Sequence, residues 1–173
     1  MPITEIAAFE FISPHSLSHP SVAELFRTLS VQQAAWSGYP LLYFANADST
    51  RSAEFYLISG WENEEAHYKW IASEENQKLL AATRGLLNIR YMVHLEINFN
   101  DIPRDATKLF VEIYEGSAAV KSQIEGLAGW EVAGRDLKEG VDMLYSISDR
   151  LSTDTDSLRT AKEKFTLDRT QVE

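Results

Sequence analysis

The sequence predicts an α+β fold built from one small unit written twice, and three echoes predict it. Ile6-Ala7-Ala8-Phe9-Glu10-Phe11-Ile12 is matched by Lys108-Leu109-Phe110-Val111-Glu112-Ile113-Tyr114, with a glutamate at the same place in each apolar run. Ser37-Gly38-Tyr39-Pro40-Leu41 is matched by Ala128-Gly129-Trp130-Glu131-Val132, and Phe55 to Ser59 by Met143 to Ser148. The order of elements is the same both times, and a repeat in order constrains architecture more than any single motif.

Residues 3–12 read as a strand with Ala7, Phe9 and Phe11 on one face and Ile6, Ala8, Glu10 and Ile12 on the other. Both faces are largely apolar, so both are expected to be covered. A helix is expected from about Ser21, with Glu24 completing a capping box. Val22, Leu25, Phe26, Leu29, Gln33 and Trp36 keep helical spacing until Ser37-Gly38-Tyr39-Pro40 stops it. Leu41 to Ala45 and Ala53 to Gly60 read as a hairpin around a polar loop. The acidic stretch Glu62 to Glu65 suits the start of one helix running to about Thr83 and ending at Gly85. Within Leu87 to Phe99, Val93, Leu95, Ile97 and Phe99 face one way and Met92, His94, Glu96 and Asn98 the other.

Asn100 to Asp105 is the boundary, dividing the chain into a first unit over 1–100 and a shortened second unit over 101–173. The second is expected to hold strands near 108–115, 130–137 and 141–149 and helices near 117–127 and 154–165. Leu158, Ala161 and Phe165 would form one stripe of the last helix. The tail from Thr166 is open between a short strand and a frayed end.

Composition narrows the function classes. The chain has 173 residues, 45% of them apolar, and a net charge of −10. No basic patch is visible, so nucleic acid and anionic membrane are not expected partners. With no cysteine, thiolate chemistry and Cys-ligated metals are excluded. No apolar run approaches the roughly 20 residues of a membrane span, and the N-terminus does not read as a secretory signal, so a cytoplasmic protein is expected. Phosphate-cradling loops, nucleophile elbows and dinucleotide fingerprints are missing too.

The order βαββαβ, written nearly twice, is ferredoxin-like topology. Trp61-Glu62-Asn63-Glu64-Glu65-Ala66-His67-Tyr68-Lys69-Trp70-Ile71-Ala72-Ser73-Glu74 resembles the strand-end Trp, acidic turn and Trp-x-x-Ser helix of the antibiotic-biosynthesis-monooxygenase-like, dimeric α/β-barrel proteins. The match is best over 3–99 and weaker over 106–165. The resemblance implies two fused ferredoxin-like repeats, as in tandem fungal members, forming an intramolecular pseudo-dimeric barrel with a pocket between each sheet and its helices. It also implies a monomer or homodimer. Haem-degrading members place an iron-ligating His where this chain has Leu80, so haem is not expected. The His of plant-type polyketide cyclases would fall near Asn76.

His94 is the expected base: its strand neighbours the first strand in a 4-1-3-2 order, and Glu10, Glu96 and Tyr91 lie on the same or adjacent strands. Glu10 and Glu112 hold equivalent strand positions, where a carboxylate could serve acid–base work. Trp70 is expected to face the pocket, with Trp61, Tyr56 and Trp36 as further aromatic lining. His67, one helical turn from Trp70, is expected at the rim or on the solvent face. His15 and His19, flanked by Pro14 and Pro20, read as loop rather than a metal site. Together these imply a cofactor-independent enzyme that oxygenates, cyclises or decarboxylates an aromatic or polyketide-like metabolite after proton abstraction. The alternative is a non-catalytic ligand-binding or stress-response interaction protein, whose pocket would be filled by Trp and Phe side chains.

Overall fold

β1 (Ile3–Phe11) runs antiparallel between β3 (Glu54–Trp61) and β4 (Leu87–Leu95). β2 (Leu42–Asn46) pairs with the far side of β3. In the computed structural model, which describes residues 1–116, 131–150 and 161–171, this sheet continues without interruption. β5 (Lys108–Glu115), β6 (Glu131–Arg135), β7 (Met143–Ser148) and β8 (Glu163–Thr170) extend it to eight strands. Their order is β4-β1-β3-β2-β8-β5-β7-β6, with neighbours antiparallel. The second four strands repeat the order of the first. The two end strands meet as well: Leu95 bridges Asp136, Glu96 N donates to Arg135 O at 2.9 Å, and Leu137 N donates to His94 O at 2.9 Å.

Alternation along the strands sorts the apolar residues between two faces. One face carries a single cluster drawn from both halves of the sheet, including Ile6, Phe44, Tyr56, Leu95, Val111, Ile147 and Leu167. On the other face, Ala7, Phe55 and Leu57 pack against Val22 and Phe26, and Ile3 and Trp61 pack with Leu25, Trp70 and Leu79. Both faces of β1 are covered, as its sequence predicts. A fully buried side chain of this size contributes about 2 kcal/mol.

Three helices cover the helix-facing side among the described residues. α1 (Pro20–Ser37) begins one residue before the expected start and does not use the expected capping box. His19 is its N-cap, without a side-chain hydrogen bond, and Glu24 pairs with Arg27 instead. Pro20 explains the shift: its fixed φ and missing N–H suit the first helical turn. α1 ends where Gly38, at φ 79°, donates its N–H to Ala34 O. The single helix expected over 62–83 is two, α2 (Glu64–Ile71) and α3 (Glu74–Ala82). Ser73 is extended between them, and its Oγ accepts from Asn76 N at 3.1 Å. The Ser73→Ala variant is therefore expected to lose about 1 kcal/mol in urea denaturation. An unchanged midpoint would remove the cap from the account of this break.

The expected last helix is also corrected. Glu163 to Phe165 belong to β8, and the alternation Phe165-Thr166-Leu167 places Phe165 against Tyr56 at 5.3 Å between ring centroids. Far from fraying, the tail becomes a strand inserted between β2 and β5. The helix expected over 117–127, the echo at 128–130 and residues 154–160 lie outside the described residues. No described helix is long and apolar enough to cross a membrane.

Candidate active site

Antiparallel register places Glu5 on β1 opposite His94 on β4 and Ser59 on β3. α2 lays His67 over them. All four are buried. Glu5 Oε2 accepts from Trp61 Nε1 at 2.6 Å and from Ser59 Oγ at 3.1 Å. His67 Nε2 stands 3.4 Å from the same oxygen, and His67 Nδ1 is 2.6 Å from His94 Nε2. His94 Nδ1 is 3.4 Å from Glu64 Oε1, on a half-exposed side chain. The Trp61 ring stacks on His67 with centroids 4.4 Å apart.

Burial dominates the charge states here. Desolvation pushes Glu5 up to about 7, against the lowering effect of the Trp61 and Ser59 hydrogen bonds. Desolvation, and then repulsion from His94, holds His67 down to about 3. His94 is also lowered by burial, with Glu64 and Asp136 pulling the other way. At neutral pH the Glu5–His67 contact therefore involves a neutral imidazole and is not an ion pair.

Two spaces flank this cluster. A cavity of about 190 Å3 lies between the sheet and the three helices, with Glu5, His67 and Trp70 in its wall among Leu25, Phe26 and Leu79. Gln33, 4% exposed, also lines it, and Gln33 Nε2 has no hydrogen-bond partner among the described residues. A buried donor without a partner is costly, and an acceptor bound within its reach would offset that cost. An open groove of about 490 Å3 lies beyond, lined by His94, Glu64, Asp136, Lys138 and Glu139.

The structure brings together some of the sequence candidates and separates others. His94 borders the groove rather than the cavity. Neither expected carboxylate partners it: Glu10 pairs with Arg90 at 2.7 Å, and Glu96 with Arg135 at 3.0 Å. Odd and even positions of β1 point to opposite faces, so Glu10 cannot share the face that Glu5 shares with His94. Glu112 pairs with Lys164 at 2.6 Å. Trp70 lines the cavity, while Trp36, 49% exposed, leans on it from outside with centroids 5.5 Å apart. Trp61 donates to Glu5 and is not among the residues lining the cavity. Tyr56 and Tyr91 belong to the opposite face of the sheet, not the pocket. Burial pushes the Tyr56 hydroxyl up to about 12 and the Tyr91 hydroxyl well up. His67 is buried rather than solvent-facing, because it shares the inward stripe of α2 with Trp70. His15 bonds Ile12 O and His19 bonds Ser21 Oγ, with no carboxylate bonded to either among the described residues.

Glu5 and Gln33 are the residues sequence reasoning missed. Each was visible as a polar residue in an apolar stripe, Glu5 with Ala7 and Phe9, Gln33 with Phe26 and Leu29. The donors of Glu5, His67 and His94 lie within 4.8 Å of one another, close enough to hold a divalent ion. They stand in series, however: each imidazole turns its two nitrogens to two different neighbours, whereas shared coordination needs them turned to one point. Leu80, where the resembled haem-degrading proteins carry their iron ligand, lines the cavity and offers no ligating atom.

No family model matches the chain, and no curated protein matches it in sequence. Solved structures do match in fold. A candidate chlorite dismutase superposes with a TM-score of 0.65 at 7% identity, covering 99% of this chain and 95% of that one. A candidate monooxygenase from Fusobacterium nucleatum gives 0.65 at 9% identity over 98% and 93%. An anthrone oxidase-like protein gives 0.58 at 14% identity over 98% and 92%. The chain therefore shares the ferredoxin-like α+β fold of these solved structures.

Proposed function

We propose that this protein is a cofactor-independent oxidase-type enzyme acting on a small, flat, oxygen-bearing aromatic molecule. The observation that carries this reading is that Glu5 and Gln33 line one apolar cavity: a buried carboxylate poised near neutrality and a donor without a partner among the described residues. Glu5 takes a proton from a carbon activated by a ring-borne oxygen. Gln33 donates to that oxygen as negative charge develops on it. Dioxygen then adds to the carbanion, the peroxide takes up a proton, and loss of water leaves a carbonyl: CH2 plus O2 gives C=O plus H2O. Solved neighbours named as a monooxygenase and an anthrone oxidase-like protein agree with this chemistry. The base is Glu5 rather than His94, and the whole site lies in the first unit, 1–100. The repeated strand order and the bridge from β4 to Asp136, just past β6, support two fused ferredoxin-like repeats closed as an intramolecular barrel.

The test is intrinsic Trp fluorescence titrated with phenols, anthrones and quinones, followed by dioxygen consumption with whichever bind. Saturable quenching is expected, altered in Trp70→Phe. Gln33→Leu is expected to weaken binding about tenfold, the worth of one hydrogen bond. Leu80→Trp, which fills the cavity, is expected to abolish it. Binding indifferent to Leu80→Trp would place the ligand elsewhere, and binding without dioxygen consumption would leave a ligand carrier.

A further inference from the structure

We propose that Glu5, His67, His94 and Glu64 form a proton relay between the apolar pocket beneath the helices and the outer groove. It rests on the reading above for the origin of the proton, which is the one Glu5 removes.

The contacts run in one line. Glu5 Oε2 to His67 Nε2 is 3.4 Å, His67 Nδ1 to His94 Nε2 is 2.6 Å, and His94 Nδ1 to Glu64 Oε1 is 3.4 Å. Both nitrogens of both rings are used, each toward the next group. Glu5 and His67 line the cavity; His94 and Glu64 line the groove. The relay therefore runs from one space to the other. The cavity wall is largely apolar and offers water few partners, so the chain of polar groups gives a proton on Glu5 a continuous path to the groove.

The proton count balances. Before transfer, Glu5 is protonated and donates to His67 Nε2, His67 Nδ1–H donates to His94 Nε2, and His94 Nδ1–H donates to ionised Glu64. Each hydrogen then moves one place outward. Glu5 is left ionised, both rings carry their hydrogen on Nε2, and Glu64 holds the proton that solvent removes. The return of a proton to the peroxide runs the same steps inward and restores both tautomers. Neither ring needs to hold two protons at rest, which agrees with burial keeping both neutral. The groups facing the relay are Glu5 on β1, Glu64 and Tyr68 on α2, His94 on β4, and Asp136, Lys138 and Glu139 beyond β6.

The test needs no substrate, so its failure is separate from failure of the enzyme reading. Glu5 protonation is followed by time-resolved infrared spectroscopy after a jump from about pH 8 to about pH 5.5, across the Glu5 midpoint. The carboxyl band is assigned by its loss in Glu5→Gln. His94→Phe is expected to slow the appearance of this band about a hundredfold, while Glu5 still becomes protonated at equilibrium. Added imidazole is expected to restore the rate in His94→Gly, which a packing role would not produce. A wild-type rate in His94→Phe overturns the relay. So does stoichiometric binding of Zn2+ by wild type that is lost in His67→Ala, because the donors then converge on an ion. If His94→Phe does not fold, Glu64→Leu at the groove decides: slowing supports the relay, and a wild-type rate overturns it.

Discussion

Replacing Glu5 by Gln is expected to stabilise the protein at pH 8 by on the order of 3 kcal/mol while removing its proton chemistry. The unfolded chain ionises this carboxyl above about pH 4.5, but in the fold it stays protonated until about pH 7. Between those values folding takes up a proton. The contribution of Glu5 is thus fully present below pH 4.5, lost as pH rises through 7, and constant above that. Gln carries no charge to desolvate and can still accept from Trp61 and Ser59, so the difference between variant and wild type opens over this window and is largest above it. His67 works in the opposite sense. Held down to about 3, its neutral form stabilises the fold above pH 6.5, and this is lost as pH falls toward 3. The two slopes oppose each other between about pH 4.5 and 6.5, and Glu5→Gln removes only the alkaline loss. Urea denaturation of both proteins from about pH 4 to pH 9 checks this. A variant no more stable than wild type at pH 8 would mean that Glu5 is not held protonated by burial.

That this residue escaped the sequence reading has a physical reason. The echo between Glu10 and Glu112 drew attention to the wrong parity of β1, because a repeat reports what two strands share, and the site belongs to one of them. The alternation of β1 and the inward face of β4 were both legible, since period-two patterns depend only on local geometry. Pairing Glu5 with His94 and Ser59 depends on register across three strands, which no local pattern encodes. His67 was nearer to hand: three residues before Trp70 on α2, it had to face wherever Trp70 faced. The break at Ser73 lay hidden because Ser in a run of helix formers does not announce whether it caps or continues. β8 was misread because Leu158, Ala161 and Phe165 fit a helical stripe, while Phe165 and Leu167 fit a strand, and only the vacancy between β2 and β5 chooses between them.

Gly134→Ala is expected to cost about 2–3 kcal/mol and to pull His94 away from His67. Gly134 sits on β6 opposite Tyr145 of β7. A Cβ there would stand 2.6 Å from the Glu96 carbonyl carbon and 2.5 Å from Ile97 Cγ1. Backbone on one side and a core side chain on the other leave no flexible end to move aside. The strands cannot part without losing Glu96 N to Arg135 O and Leu137 N to His94 O, the two hydrogen bonds that join β4 to β6. The second of these holds the His94 backbone, so opening the seam lengthens the 2.6 Å contact on which the relay depends while leaving the cavity walls on β1 and α1 in place. Gly38→Ala separates this effect from ordinary backbone strain. Gly38 has φ 79° and nothing within 4 Å of its added Cβ, so it should cost only about 1 kcal/mol and leave the Glu5 protonation rate unchanged. Urea denaturation and hydrogen exchange at the Glu96 and Leu137 amides measure the difference. If Gly134→Ala matches Gly38→Ala in stability and those amides stay protected, the seam tolerates a methyl group, and the positioning of His94 has to come from α2 instead.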